Sequence, residues 1–154
     1  MKQSKQNSSE AVSKLEHVFV YGTLKRGECR EACWPRAALN IEPAWTLGAL
    51  SDLGHYPALL DGNERVLGEL WSFDPQDIAI VFEQLDRIEG TNQAGIPNEY
   101  DRVRVIATSQ SFGEVSASTY RYANPQQAAQ VARLAASHII DGRAYVKWPD
   151  AVSL

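Results

Sequence analysis

The chain has 154 residues, 44% of them hydrophobic and 22% charged, a composition that suits one globular domain with one core. Its formal net charge of −4 supplies no overall basic field, so neither nucleic acid nor an anionic membrane is expected as a partner. No apolar run approaches the roughly 20 residues that span a bilayer, no secretory leader pattern opens the chain, and a cytoplasmic location is the expectation.

The first stretch, MKQSKQNSSEAVSKLE (1–16), is polar and rich in Ser, Gln and Lys, the composition of a flexible tail. A single domain is expected over 17–154. HVFVY (17–21) is continuous, β-branched and aromatic, and predicts a strand. The basic residues after it, Lys25, Arg26 and Arg30, are expected to be a solvated loop. ECREACWPRAAL (28–39) predicts a short helix broken by Pro35. Cys29 and Cys33, the only cysteines, supply two ligands where structural zinc wants four, and His17, His55 and His138 show no ligand spacing around them. No metal and no cofactor are expected.

AWTLGALSDLGHYPALL (44–60) alternates loosely and is punctuated by Gly48, Gly54 and Pro57, which predicts one or two bent strands. Further strands are predicted at RVLGELWSF (65–73), YDRVRVIAT (100–108) and EVSASTYRYA (114–123). One helix is predicted from Asp74 as N-cap and Pro75 at the first position to the residue before Gly90. A second is predicted from Asn124-Pro125 through the alanine-rich segment to Gly142. Together these elements predict an α+β fold around a curved sheet.

The helix at 74–89 carries the most informative residue. At about 100° per residue, Ile78, Val81, Phe82 and Leu85 share one apolar stripe with Ile88 at its edge, while Asp77, Glu83, Asp86 and Arg87 point away. Glu89 falls in the middle of the stripe. A carboxylate there either meets a specific need or swings into water from the last turn. Burial would raise its pKa toward the range used in general acid–base chemistry.

Gly22-Thr-Leu-Lys-Arg-Gly27 matches half of a phosphate-binding loop, but Glu28 and Cys29 stand where Lys and Ser/Thr are required, so that reading fails. A strand ending on glycine still lets a ligand approach the backbone, where successive N–H groups can hold a small anion; an ordinary turn is the alternative.

YGTLKRG after an apolar strand, then LGALSDLGHYPALL, VLGELW, LDRIEG and EYDR, in that order over residues 18–123, resembles the γ-glutamylcyclotransferase-like superfamily, within it the γ-glutamylamine cyclotransferase and AIG2-like branch. The resemblance implies a small mixed β-barrel flanked by helices. It also implies an enzyme that cyclises a γ-glutamyl amine or γ-glutamyl amino acid to 5-oxoproline, with a small γ-glutamyl substrate as its partner. It implies that Tyr21, Gly22, Thr23 and Leu24 bind the glutamyl end, that Glu89 is the acid–base residue, and that Tyr100 lines the pocket. The loop TNQAGIPNE (91–99) is longer than in many relatives, and the alanine-rich segment after 123 falls outside the resemblance. Glu69, Glu83 and Glu99 are the alternative carboxylates. Among aromatic residues, Tyr56 and Trp71 fit either a pocket or an ordinary core. His55 and His138 are expected at the surface or in a polar core. Two other functions remain open: a non-catalytic small-molecule binding module on the same barrel, and a related enzyme that removes a γ-glutamyl group from a biosynthetic intermediate.

Overall fold

The computed structural model describes residues 14–149; the predicted tail lies outside them as far as residue 13. Strand β1 (Glu16–Val20) is buried on both faces, which explains its unbroken apolar sequence. It pairs antiparallel with β3 (Pro57–Phe73), Glu16 opposite Phe73 and Val20 opposite Glu69, and parallel with β5 (Gly113–Tyr122), Val18 opposite Ser118. Strands β2 (Asn40–Asp52) and β4 (Tyr100–Ser109) complete the order β1-β5-β4-β2-β3, and the β3–β1 pairing closes it into a mixed five-stranded barrel. Closure leaves no open edge among these five strands. Outside it, β7 (Arg143–Val146) runs parallel to β3, and β6 (His138–Ile140) pairs with β7.

Alternation divides the core in two. Phe19, Leu50, Leu59, Leu70, Ala107 and Ala117, drawn from all five strands, fill the barrel. Val18, Val20, Trp71 and Phe73 face outward onto helix α1 (Ile78–Glu89), which buries Val81 and Leu85 against them and packs Ile78, Phe82 and Ile88 alongside. The Asp74 carboxylate accepts from the Gln76 N–H at 2.9 Å, as an N-cap should, but residues Pro75–Asp77 form a 3-10 turn before the α-helix begins. Gly90 ends the helix in the left-handed region, φ +65°. Asp86 does not simply face solvent as its helical angle predicted. It accepts the Tyr120 hydroxyl at 2.6 Å and stands 3.6 Å from Arg102, because β5 and β4 wall that side of the helix. Among the described residues no helix is long and apolar enough to cross a membrane.

Three other expectations are corrected. The predicted strands at 44–60 and 65–73 form one long hairpin, in which Gly48 pairs with Glu64 and Ala49 with Leu60, so that residues 61–63 bulge out of β3. The segment at 28–39 makes only a 3-10 turn, Glu31–Cys33. It has no apolar stripe to bury, and Trp34 leaves it to stack on Trp71, ring centroids 4.2 Å apart. The helix predicted to Gly142 stops after Pro125–Ala128, here α2, with Asn124 capping Gln127 at 3.1 Å. Beyond it the Leu134 N–H bonds the Leu50 carbonyl at 2.8 Å. Asp141 (φ +50°) and Gly142 (φ +76°) then form the two-residue turn between β6 and β7. Positive φ at both positions is the hairpin turn that Asp-Gly favours, and strand pairing overrides the helix propensity of the alanines.

Candidate active site

Residues following β1 and the end of α1 meet at a cavity of about 280 Å³. Tyr21, Gly22, Thr23, Leu24, Glu89 and Tyr100 all line it, together with Arg30, Tyr56, Pro57, Glu99 and Tyr120. The loop after β1 is fixed from two directions. Trp34 Nε1 donates to the Leu24 carbonyl at 2.9 Å, and the Arg30 N–H donates to the Thr23 carbonyl at 2.8 Å. At position 22 only glycine fits, since a Cβ there would sit 2.9 Å from the Pro57 ring. Gly22, Thr23 and Leu24 are buried, yet their three N–H groups donate to no acceptor among the described residues. Successive free N–H groups in residues that line a cavity can form a cradle for an anion or a developing oxyanion.

Glu89 is the last residue of α1 and faces the cavity rather than solvent. Burial pushes its carboxyl up to about 7; the Arg30 guanidinium opposes this and the Glu99 carboxylate adds to it. Tyrosines make the walls. Tyr21 donates its hydroxyl to the Tyr120 carbonyl, and Tyr100 donates to the Pro57 carbonyl at 2.7 Å. The Tyr100 carbonyl in turn accepts from Thr91 Oγ1 at 2.6 Å. Burial pushes the Tyr21, Tyr100 and Tyr120 phenols well above their ordinary value, so they remain neutral donors. Tyr56, at the half-exposed edge, is pushed up first by its interaction with the Glu99 carboxylate, then by burial.

Of the alternative carboxylates, only Glu99 reaches the cavity. Glu69 is held elsewhere, accepting from the Arg26 N–H at 2.8 Å and from Arg26 Nε at 2.9 Å, and Glu83 faces solvent 3.6 Å from Arg87. Trp71 is a core aromatic, whereas Tyr56 belongs to the site. His55 is exposed, and neither it nor His138 lines the cavity. The basic cluster after β1 is not a uniformly solvated loop. Lys25 is buried with Nζ donating to the Trp148 carbonyl at 2.5 Å, Arg26 is bound to Glu69, and Arg30 turns into the cavity. No local pattern marks Arg30, because its position depends on Trp34 docking against Trp71. Cys29 and Cys33 are free thiols, one exposed and one half-buried.

A closed barrel that brings a desolvated carboxyl and a row of free N–H groups into one small cavity defines an enzyme-like small-molecule site. The chain belongs to the family described as gamma-glutamyl cyclotransferase, AIG2-like, whose pattern it matches over residues 18–142. That match runs past residue 123, through α2 to the turn of the β6–β7 hairpin. A protein of Vibrio cholerae serotype O1 that carries the name of a gamma-glutamylcyclotransferase is 37% identical over 93 residues, 57% of this chain and 70% of that one. The gamma-L-glutamyl-butirosin B gamma-glutamyl cyclotransferase of Niallia circulans is 30% identical over 109 residues, 70% of this chain and 67% of that one. Among solved structures, an AIG2-like protein of Mus musculus superposes with a TM-score of 0.53 at 26% identity, covering 71% of this chain and 78% of that one.

Proposed function

We propose that the protein converts a γ-glutamyl amine or γ-glutamyl amino acid into 5-oxoproline and the free amine, with Glu89 carrying the protons. One observation carries the reading: the Glu89 carboxyl, at about 7, shares a cavity with the free N–H groups of Gly22, Thr23 and Leu24. The substrate's α-amino nitrogen attacks its own γ-carbonyl carbon. A C–N bond closes the five-membered ring and the γ-amide C–N bond breaks. Two protons pass from the α-ammonium to the departing nitrogen, so neither water nor a net proton is consumed. Glu89 takes each from one nitrogen and delivers it to the other, a role that a carboxyl near neutrality performs in both directions. Nucleophile and electrophile belong to one molecule, so ring closure needs orientation more than activation. The loop N–H groups hold the anionic oxygens of the glutamyl end, and the buried tyrosines beside Glu89 help keep its carboxyl desolvated.

Mass spectrometry tests this directly. Purified protein is given γ-glutamyl amines, γ-glutamyl amino acids and glutathione, and 5-oxoproline is scored beside Glu89→Gln. Product from the wild type with loss in Glu89→Gln is expected; full turnover by folded Glu89→Gln would sink the proton-carrier role. The Niallia circulans relative supports a second reading, a γ-glutamyl group removed from a biosynthetic intermediate, so a γ-glutamyl aminoglycoside belongs in the panel. Silence on every substrate, with the same compounds raising Tm, would favour a binding module.

A further inference from the structure

We infer that Arg30 reads a carboxylate on the amine being released, so that the site prefers γ-glutamyl conjugates of amino acids over those of simple or cationic amines. This rests on the reaction proposed above and adds the identity of its leaving group. The glutamyl end presents one carboxylate and one ammonium. The cradle of Gly22, Thr23 and Leu24 supplies N–H donors for the first, and Glu89 faces the second. The cradle residues are buried, and the Glu89 carboxyl is desolvated although the residue as a whole is half-buried. What this leaves at the cavity are Arg30 and Tyr56, each half-buried, and the exposed Glu99. A substrate held by its glutamyl end points its other half toward these exposed groups.

They are not equivalent. The Glu99 carboxylate already has the Tyr56 hydroxyl before it. The Arg30 guanidinium makes no hydrogen bond or ion pair with any described residue, although its own backbone is tied to Thr23. Five N–H donors in a rigid fork, unpaired at the lip of a small cavity, match a planar carboxylate. A cationic leaving group would meet that charge unfavourably.

A matched pair of substrates isolates the carboxylate: γ-glutamylalanine and γ-glutamylethylamine differ only by its presence. Wild type is expected to favour γ-glutamylalanine in kcat/KM by about tenfold or more, the scale of one charge-assisted hydrogen bond. Arg30→Gln should erase that preference chiefly through KM, losing at least about tenfold more on γ-glutamylalanine than on γ-glutamylethylamine. Arg30→Lys should restore part of it. Measured at a pH where Glu89 is ionised in wild type and variant alike, equal losses on both substrates would mean that Arg30 holds the glutamyl carboxylate itself, and no loss on either would mean that it reads neither; both results overturn the proposal. Calorimetric affinities of both compounds for Glu89→Gln, with and without Arg30→Gln, decide the matter independently of turnover. An Arg30-dependent preference in affinity without 5-oxoproline formation would keep the recognition and discard the reaction; affinities equal for the two compounds would discard the recognition.

Discussion

Replacing Glu89 by Gln should make the protein more stable at alkaline pH while removing its activity. The ordinary carboxyl value of 4.5 and the value of about 7 in this site differ by 2.5, and at about 1.4 kcal/mol for each tenfold step ionisation of Glu89 costs about 3 kcal/mol of folding free energy. The folded state binds this proton more tightly than the unfolded chain. The contribution is therefore fully present below pH 4.5, declines as pH rises toward 7, and is absent above it. Gln fills the same space without ionising, so Glu89→Gln should lack this decline. Urea denaturation at pH 5 and pH 8.5 measures it: part of the decline has already occurred by pH 5, so the stability difference, variant minus wild type, should grow by about 2.5 kcal/mol between the two conditions, or about 5–10 °C in Tm for a chain of this size. Two curves that remain parallel across that interval would show that the carboxyl is not desolvated, and the acid–base argument built on it would fall with them.

The rate of 5-oxoproline formation, as kcat/KM, should rise with pH through about 7 as Glu89 loses its proton; Glu99→Gln should move that limb to lower pH and Arg30→Gln to higher pH, and a limb that ignores both would contradict the charge arrangement. Tyr120→Phe removes a 2.6 Å donor from Asp86, whose side chain is only 15% exposed. It should cost about 1.5–3 kcal/mol in urea denaturation, and a loss below about 0.5 kcal/mol would show that Arg102 alone satisfies that carboxylate. Gly68→Ala would place a Cβ 2.3 Å from the Val20 carbonyl oxygen, where β1 crosses β3. No side chain can yield there, so the variant should lose more than about 3 kcal/mol or fail to fold, and a near-native Tm would show that the barrel seam can open without cost.

What the sequence made legible follows from how local each feature is. Val18 to Val20 read as a strand because both faces of β1 are buried, and Glu89 stood out because one helix repeat carries it into the stripe of Val81 and Leu85. Residues 22–24 were legible as a candidate ligand loop through the resemblance their motif carries, although the absence of partners for their N–H groups among the described residues appears only in three dimensions. Arg30 was not legible as a cavity residue, and Tyr56 was legible only as an aromatic that fits a pocket or a core equally. Each reaches the cavity through contacts with distant parts of the chain: Trp34 stacking on Trp71 carries the Arg30 loop, and Tyr56 rides on the turn between β2 and β3. The segment after Ala128 was misread because alanine propensity was weighed above Asp141-Gly142, a strong local hairpin signal whose strands are short and whose pairing with β3 is remote in sequence.

Two carboxylates share the cavity, and their surroundings separate their roles. Glu99 is exposed, so water screens its charge and the Tyr56 hydroxyl faces it. Glu89 lies where burial disfavours its charge, and the opposing Arg30 guanidinium is too weak an influence to restore the ordinary value. An amine substrate changes that balance. Its α-ammonium beside Glu89 would stabilise the carboxylate, so substrate binding itself would prepare the base. In the proposed reaction, once the ammonium has given up its proton the same carboxyl would again be disfavoured as an anion, and would hold that proton until the leaving nitrogen can accept it. A carboxyl with an ordinary pKa would release the proton to water instead. The desolvation measured by the stability of Glu89→Gln and the proton transfer measured by turnover are thus two readings of one property, and the first can be obtained before any substrate is identified.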